Sequence, residues 1–179
     1  LGDVYKRQGL DIAIKAVEEI NTPKVRMSLD IYGPGDIKSI LDHDIAGICY
    51  RGTYRLEDAQ NVFCQYDLLL LPSRHDGWGL VVNEALMAGV SVILSDRVGA
   101  KVLVERSGAG RVFCNQNVEQ LKAILCDIVD NQTSLLEMKA NCLKVQAQIT
   151  AQQGAVYLNT VLAHYFFDTG ERPAPFMEV

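Results

Sequence analysis

Short apolar runs recur about every 20 residues along the chain, and helix-like segments lie between them. Several of the runs are almost continuously hydrophobic, which is typical of parallel strands covered on both faces. Parallel strands need a crossover helix between them, so the pattern predicts an α/β fold with an open, doubly wound parallel sheet. The predicted strands are Met27–Tyr32, Ala46–Tyr50, Asp67–Leu71, Ser91–Leu94 and Gly110–Phe113.

Amphipathic segments between these strands predict the crossover helices. They are Leu10–Ile20, Asp36–Asp42, Leu56–Gln65 with Thr53 as its cap, Leu80–Ala88 and Lys101–Ser107. Asn117 is placed to cap a further helix. The apolar stripe of that helix contains Leu121, Ile124, Leu125, Ile128 and Val129.

The strand pattern stops near residue 130, which divides the chain into three parts. Residues 9–130 form the α/β domain, and residues 131–179 form C-terminal helices and a tail. Residues 1–8 are interpreted as a fragment edge or an expression scar. The tail is predicted to contain the helix Ser134–Ile149 and a second helix that Thr150 caps, with Gln153 at capping-box spacing. The apolar face of the last helix is Leu158, Val161, Leu162, Tyr165 and Phe166.

Composition narrows the possible partners. The 179 residues are 49% hydrophobic, and 17 basic against 22 acidic residues give a formal charge of −5. This balance argues against a nucleic-acid-binding surface, which needs clustered basic residues. No apolar run approaches the about 20 residues of a membrane helix. We therefore expect no integral membrane segment, while peripheral membrane association stays open.

The five cysteines, an odd number with no Cys-x-x-Cys pair, predict reduced and buried thiols in a cytoplasmic protein. Their spacing argues against a zinc site.

A glycine-rich loop follows the first predicted strand, at Gly33-Pro34-Gly35. Bare backbone at this position could approach a phosphate at a helix N-terminus. The alternative is an ordinary tight turn between a strand and a helix, because the third glycine of a dinucleotide fingerprint is absent.

The loop after the third predicted strand carries the strongest chemical signal. Asp76 and Glu84 flank the glycines Gly77 and Gly79, whose amides could meet an anion or a sugar oxygen closely. A carboxylate early in the following helix could accept hydrogen bonds from a vicinal diol such as a ribose.

Each of these residues also has a purely structural interpretation. Glu84 could be an N-terminal helix acid favoured by the macrodipole, and Asp76 could be a turn acid. Trp78 could anchor the loop in the core or stack on a ligand. His75 could face the ligand or the solvent.

This stretch resembles the donor-binding signature of the retaining GT-B glycosyltransferases of family 4, also called group 1. The matching residues are Pro72-Ser73, Asp76-Gly77-Trp78-Gly79, Glu84-Ala85, Ala88-Gly89 and Val92-Ile93. Further segments resemble other family elements in the same order: Gln8-Gly9-Leu10-Asp11, Leu29 to Gly35, Arg51-Gly52-Thr53-Tyr54, Ser95 to Ala100 and Gly108 to Phe113.

The resemblance implies a Rossmann-like domain that binds a nucleotide-sugar, with no cofactor and no metal. It makes Asp76 and Glu84 the catalytic candidates, with Asp76 on donor-sugar hydroxyls and Glu84 on the ribose. The implied donor-binding residues are Gly33, Gly35, Tyr54, His75, Gly77, Trp78, Gly79 and Glu84. Asp76 stands where the family commonly has Glu, and Gln8 stands in place of a lysine that helps to neutralise the diphosphate.

The resemblance further implies that the chain is the C-terminal, donor-binding half of a retaining enzyme. The N-terminal domain that binds the unknown acceptor would be missing, and the isolated half would be inactive. The first strand of the domain would be truncated, and the last helix would cross toward the missing half. The alternative function is a non-catalytic nucleotide-sugar-binding module or one subunit of a split glycosyltransferase.

Overall fold

The structure is a computed structural model, which describes residues 7–34, 45–167 and 172–174. Its strands are β1 (Leu29–Tyr32), β2 (Ile48–Gly52), β3 (Leu68–Leu71), β4 (Ser91–Ser95) and β5 (Gly110–Phe113). Its α-helices are α1 (Leu10–Ile20), α2 (Ala59–Phe63), α3 (Leu80–Met87), α4 (Lys101–Ser107), α5 (Val118–Asp130), α6 (Gln132–Gln146) and α7 (Ala151–Phe167). The predicted helix Asp36–Asp42 and the candidate Gly35 lie outside the described residues.

All strand pairs in the described ranges are parallel, which confirms the predicted α/β class. β1 pairs with β2, and β4 lies between β3 and β5. The hydrogen-bonded ladders therefore form two groups, one of two strands and one of three.

Helices cover both faces of the three-stranded group, as a doubly wound fold requires. The side chains of β4 alternate between two apolar clusters. Val92 and Leu94 pack with residues of α2, α3, α4 and α6. Ile93 packs on the opposite side with residues of α1 and α5. All five residues of β4 are buried, so this strand is the centre of the core.

Several elements follow directly from local sequence signals. Asn117 caps α5 as predicted, because its side chain accepts a hydrogen bond of 2.9 Å from the amide of Gln120. Thr150 caps α7 in the same way, through a 3.2 Å bond from the amide of Gln153. Helix α6 begins at Gln132 and ends at Gln146, which shifts the prediction Ser134–Ile149 toward the N-terminus.

The predicted helix Leu56–Gln65 is shorter and begins differently. A 3₁₀ turn over Leu56–Asp58 leads into α2, and its capping position falls on Arg55, which makes no side-chain capping bond. Thr53 therefore lies outside the cap, and the prediction that it starts this helix was wrong. Three predicted strands also begin later than expected, at Leu29, at Ile48 and at Leu68.

All five cysteines are free, but the prediction that they are buried was wrong for three of them. Cys49, Cys64 and Cys114 are exposed, Cys126 is half-buried and Cys142 is buried. Cys49 lies on β2, where it is the first of three consecutive exposed residues. Burial raises the pKa of the Cys142 thiol.

Helix α7 projects its apolar side chains into solvent. It has no buried residue, and Phe166 is 76% exposed while Leu158 is 56% exposed. Within the described ranges, no helix is long and apolar enough to cross a bilayer.

Candidate functional site

A cavity of about 350 Å³ runs between β1 and β3 and reaches the loops at their carboxyl ends. Four of the predicted site residues line it: Gly33 after β1, Tyr54 after β2, and His75 and Asp76 after β3. In parallel α/β sheets, ligands bind at this edge, outside the carboxyl ends of the strands. The fold thus assembles candidates from three separate loops into one cavity.

The start of the loop after β3 is held from two sides. Ser73 is buried, and its carbonyl accepts a hydrogen bond from the Ser95 hydroxyl of β4. Arg74 donates two bonds of 2.8 and 2.7 Å to the Asp11 carboxylate of α1. The bond from Arg74 lowers the pKa of Asp11. These contacts fix where His75 and Asp76 enter the cavity.

Asp76 is part of a short parallel bridge to Val98. Its amide donates to the Arg97 carbonyl at 3.1 Å, and its carbonyl accepts from the Gly99 amide at 3.2 Å. One carboxylate oxygen, Oδ1, accepts a 3.2 Å bond from the Trp78 amide. Asp76 is therefore a turn acid and a cavity-lining residue at once, so the two interpretations do not exclude each other.

The side chain of Trp78 lies on the surface and does not line the cavity. It is 40% exposed, and its indole Nε1 donates a 2.8 Å bond to Asn83 Oδ1 of α3. The interpretation of Trp78 as a core anchor was therefore wrong. Gly77 and Gly79 also lie outside the cavity lining, in the loop that continues from Asp76.

Gly79 begins α3 in a conformation that requires glycine. Its φ of +86° lies in the left-handed region, and an added Cβ would come within 2.7 Å of Val98 Cγ1. The residue thus turns the chain from the cavity loop into α3 while the loop stays packed on Val98.

Glu84 lies beside the cavity rather than in its lining. It is half-buried in α3 and lies beyond the first turn, so a macrodipole role at the helix start does not account for it. Burial raises the pKa of Tyr54, and the negative charge of Glu84 raises it further. Since Tyr54 lines the cavity, this electrostatic coupling links Glu84 to the site.

A polar cluster in the cavity lining, formed by Asp30, Tyr32 and Tyr66, was missed by sequence reasoning. The Tyr66 hydroxyl donates to Asp30 Oδ2 at 2.7 Å and pairs with the Tyr32 hydroxyl at 2.8 Å. Arg51 Nε lies 2.9 Å from the same Asp30 oxygen. Burial would raise the pKa of Asp30, but the bonds from Tyr66 and Arg51 outweigh it and lower that pKa. A lone carboxylate inside an apolar strand was the available signal.

The rings of this cluster also connect it to Tyr54. Tyr32 meets Tyr54 edge to face with centroids 5.6 Å apart, and Tyr54 meets Phe63 in the same way at 6.1 Å. The Tyr50 hydroxyl donates a 2.6 Å bond to the Gly33 carbonyl. Tyrosines therefore hold one wall of the cavity in place.

Arg7 supplies a positive charge to the cavity lining, next to Gln8. The cations Lys101 and Arg111 do not line the cavity. The Lys101 ammonium donates to the Asp96 carbonyl at 2.9 Å, and Arg111 donates to the Ser134 hydroxyl at 2.9 Å. In the described part of the chain, no group of three or more His, Cys, Asp or Glu residues is arranged to hold a metal ion.

A family model described as "Glycosyl transferases group 1" matches residues 1–131. The chain belongs to this family. Among curated relatives, α-galactosylglucosyldiacylglycerol synthase of Streptococcus pneumoniae is 24% identical over 162 residues, covering 84% of this chain and 41% of the relative. The chain spans between 18% and 41% of the length of the curated relatives it matches.

Solved structures show the same fold. The structure of HepE from Anabaena in complex with UDP matches with a TM-score of 0.71 and 18% identity, over 87% of this chain and 46% of that protein. The C-terminal domain of the group 1 glycosyl transferase LpcC from Francisella tularensis matches with a TM-score of 0.71 and 16% identity, over 82% of both chains. The chain thus has the Rossmann-like fold of a GT-B C-terminal domain, as predicted.

Proposed function

We propose that this domain binds a nucleotide-diphosphate-sugar donor for glycosyl transfer with retention of anomeric configuration. The observation that carries the proposal is the cavity that joins Gly33, Tyr54, His75 and Asp76, with Glu84 coupled to Tyr54. The complex of the similar HepE structure with UDP supports the same ligand class.

The geometry suggests a division of roles around the donor. Nothing lies within 4 Å of a Cβ added at Gly33 or at Gly77, so a diphosphate or a sugar can approach the backbone at both positions. The Asp76 carboxylate has one oxygen on the Trp78 amide. Its second oxygen would accept a bond from a donor-sugar hydroxyl. Glu84 would accept bonds from the ribose hydroxyls.

In the proposed reaction, the nucleoside diphosphate leaves the anomeric carbon and gains negative charge. Backbone amides and nearby cations stabilise such charge when they are held in place before the reaction. Arg7 lines the cavity and would supply a positive charge that stabilises the leaving diphosphate. The acceptor would be bound by an N-terminal domain of the longer enzyme.

The second candidate is a nucleotide-sugar-binding module that is active only as part of a split enzyme. This chain corresponds to less than half of each of three curated relatives, which fits a split enzyme and a single longer enzyme equally. Adding a separately produced N-terminal half of a group 1 relative would separate the two, since restored glycosyl transfer in trans supports a split enzyme.

Titration calorimetry with UDP tests the donor site. We expect saturable binding, and Glu84→Ala should weaken it by about 1–3 kcal/mol because polar ligand groups lose their partner. Glu105→Ala is the matched control, since Glu105 is an exposed helical glutamate outside the cavity lining. Equal affinities of the Glu84 and Glu105 variants would remove Glu84 from the site.

A further inference from the structure

Helix α6 packs on the core with one side and shows apolar residues on the opposite side. The side that faces the core is buried at Ser134, Met138, Cys142 and Val145. The opposite side carries four exposed residues, which we call the outer row: Leu136, Ala140, Leu143 and Ala147. Both leucines of the outer row are 65% exposed, whereas the outer side of a surface helix is normally polar. Packing within the domain therefore does not account for the outer row.

The spacing of the outer row is that of a helix that pairs with another helix. Its members follow one another at intervals of four, three and four residues. This is the interval pattern of the two core positions of a coiled-coil heptad. The last member, Ala147, caps α6 with φ −66° and ψ −23°, so the row stays in helical geometry to its end. The row thus presents about three turns of a helix-pairing surface.

The alternation of leucine and alanine makes the outer row complementary to itself in size. In an antiparallel pair of α6 helices from two copies, Leu136 faces Ala147 and Ala140 faces Leu143. Every layer then holds one large and one small side chain, which is the condition for even packing. A parallel pair would set leucine against leucine and alanine against alanine, with a gap at each alanine layer. Size therefore favours a second copy in the antiparallel direction.

The charges beside the outer row favour the same arrangement. Glu137 and Lys144 are exposed and lie on the same side of the row. Within the chain, the Lys144 ammonium contacts the neutral Asn141 Oδ1 at 3.1 Å. In the antiparallel pair, Glu137 of each copy lies beside Lys144 of the other, which gives two equivalent ion pairs. A parallel pair would instead bring Lys139 of one copy toward Lys144 of the other.

The position of α6 keeps this surface away from the candidate donor site. Lys139 Nζ donates a 2.7 Å bond to Asp67 Oδ1, directly before β3. Cys142 Sγ lies 3.7 Å from Ser91 Oγ, at the start of β4, and 3.7 Å from the Ala109 carbonyl oxygen, directly before β5. Helix α6 therefore crosses the amino ends of the strands, while the candidate donor residues follow their carboxyl ends. Pairing through α6 leaves both donor sites open.

We propose that the outer row of α6 is the interface of a symmetric dimer of this chain. The two copies are related by a two-fold axis that passes between the α6 helices near residues 141 and 142. Such an interface is isologous, because the same surface of both copies is used. The inference is independent of the proposed function, since it rests on the exposure, spacing, size and charge of residues on α6.

Sedimentation velocity of the 179-residue chain, from about 1 to 500 μM, tests the dimer. One helix pair is smaller than a standard interface, so we expect a reversible dimer with a dissociation constant of about 10–200 μM. Leu143→Glu should raise this constant at least about tenfold, because it buries a carboxylate among apolar residues. Leu158→Glu is the matched control, since Leu158 is 56% exposed on the other C-terminal helix, α7. Circular dichroism and urea unfolding verify that each variant is folded.

A charge exchange tests the antiparallel direction at low salt. Glu137→Lys and Lys144→Glu should each raise the dissociation constant by about 3–10-fold, and the double variant should return it toward that of the unchanged chain. A chain that stays monomeric at 500 μM, or equal effects of Leu143→Glu and Leu158→Glu, would overturn the proposal. A double variant no better than the single ones would also overturn it. So would stronger association of Lys144→Glu alone, because that change relieves the Lys139–Lys144 repulsion of a parallel pair.

Discussion

Replacing Gly79 by alanine tests how the cavity loop is joined to α3. Gly79 has a φ of +86°, and a Cβ there would lie 2.7 Å from Val98 Cγ1. Val98 is 1% exposed within the core, so its methyl group has little room to move away. The substitution therefore combines backbone strain with overpacking.

The expected loss of stability follows from these two terms. A left-handed conformation costs an alanine about 1–2 kcal/mol, and forcing a methyl group into a packed core costs about 1–3 kcal/mol. Reduced freedom of the unfolded chain returns about 0.4–1 kcal/mol. We expect Gly79→Ala to lower the free energy of unfolding by about 2–3 kcal/mol, a large share of the stability of a typical domain.

Urea unfolding followed by circular dichroism measures this loss, with an unchanged m-value as evidence that the unfolded state is the same. Gly77→Ala is the matched control from the same loop, because nothing lies within 4 Å of its added Cβ and its φ is not in the left-handed region. We expect the control to change stability by less than about 1 kcal/mol. Equal destabilisation by both variants, or a neutral Gly79→Ala, would show that neither the backbone conformation nor the contact with Val98 requires glycine at this position.

Further substitutions test the neighbouring contacts. Tyr66→Phe should cost about 1–3 kcal/mol in urea unfolding, because the carboxylate of Asp30 loses a hydrogen bond. The pKa of Asp30 is lowered in the folded state, so its stabilisation is present above its ordinary value of 3.8 and is lost as pH falls through that value toward the folded pKa. Asp30→Asn should therefore flatten the acid limb of the stability profile, whereas an unchanged limb would contradict the assignment. Glu84→Gln should lower the pKa of Tyr54 but leave it above its ordinary range, because burial is the larger cause of the shift. Tyrosine-selective NMR titration measures this pKa. An unchanged pKa of Tyr54 would show that the charge of Glu84 does not act on Tyr54. Gly154→Ala, in an open position of α7, should raise helical content by circular dichroism, since glycine costs about 1 kcal/mol relative to alanine inside a helix.

Local patterns predicted the elements whose signals are local. The bounds of α1, α4 and β5 agree with the prediction, because apolar periodicity defines each element and a glycine marks one end of it: Gly9 before α1, Gly108 after α4 and Gly110 at the start of β5. The spacing of the loop from Asp76 to Glu84 also identified the part of the chain that borders the cavity. These features depend on a few neighbouring residues.

Features that depend on distant contacts were not predictable in the same way. The bond from Tyr66 to Asp30 joins residues 36 positions apart, and the pairing of Arg51 with the same carboxylate depends on how β1 and β2 lie together. Trp78 is exposed and its indole donates to Asn83, although a large aromatic ring in the sequence favours burial. An amphipathic pattern shows which positions are polar, but it does not show whether a polar side chain bonds to another residue or to solvent.

The proposed function depends on binding of a nucleoside diphosphate at the carboxyl ends of β1 and β3. NMR titration of the ¹⁵N-labelled chain with UDP, up to about millimolar concentration, detects this binding residue by residue. We expect saturable shifts centred on the amides of Gly33, Tyr54, His75, Asp76 and Glu84. Saturable shifts confined to other surfaces, or no shifts at all, would show that UDP does not bind there.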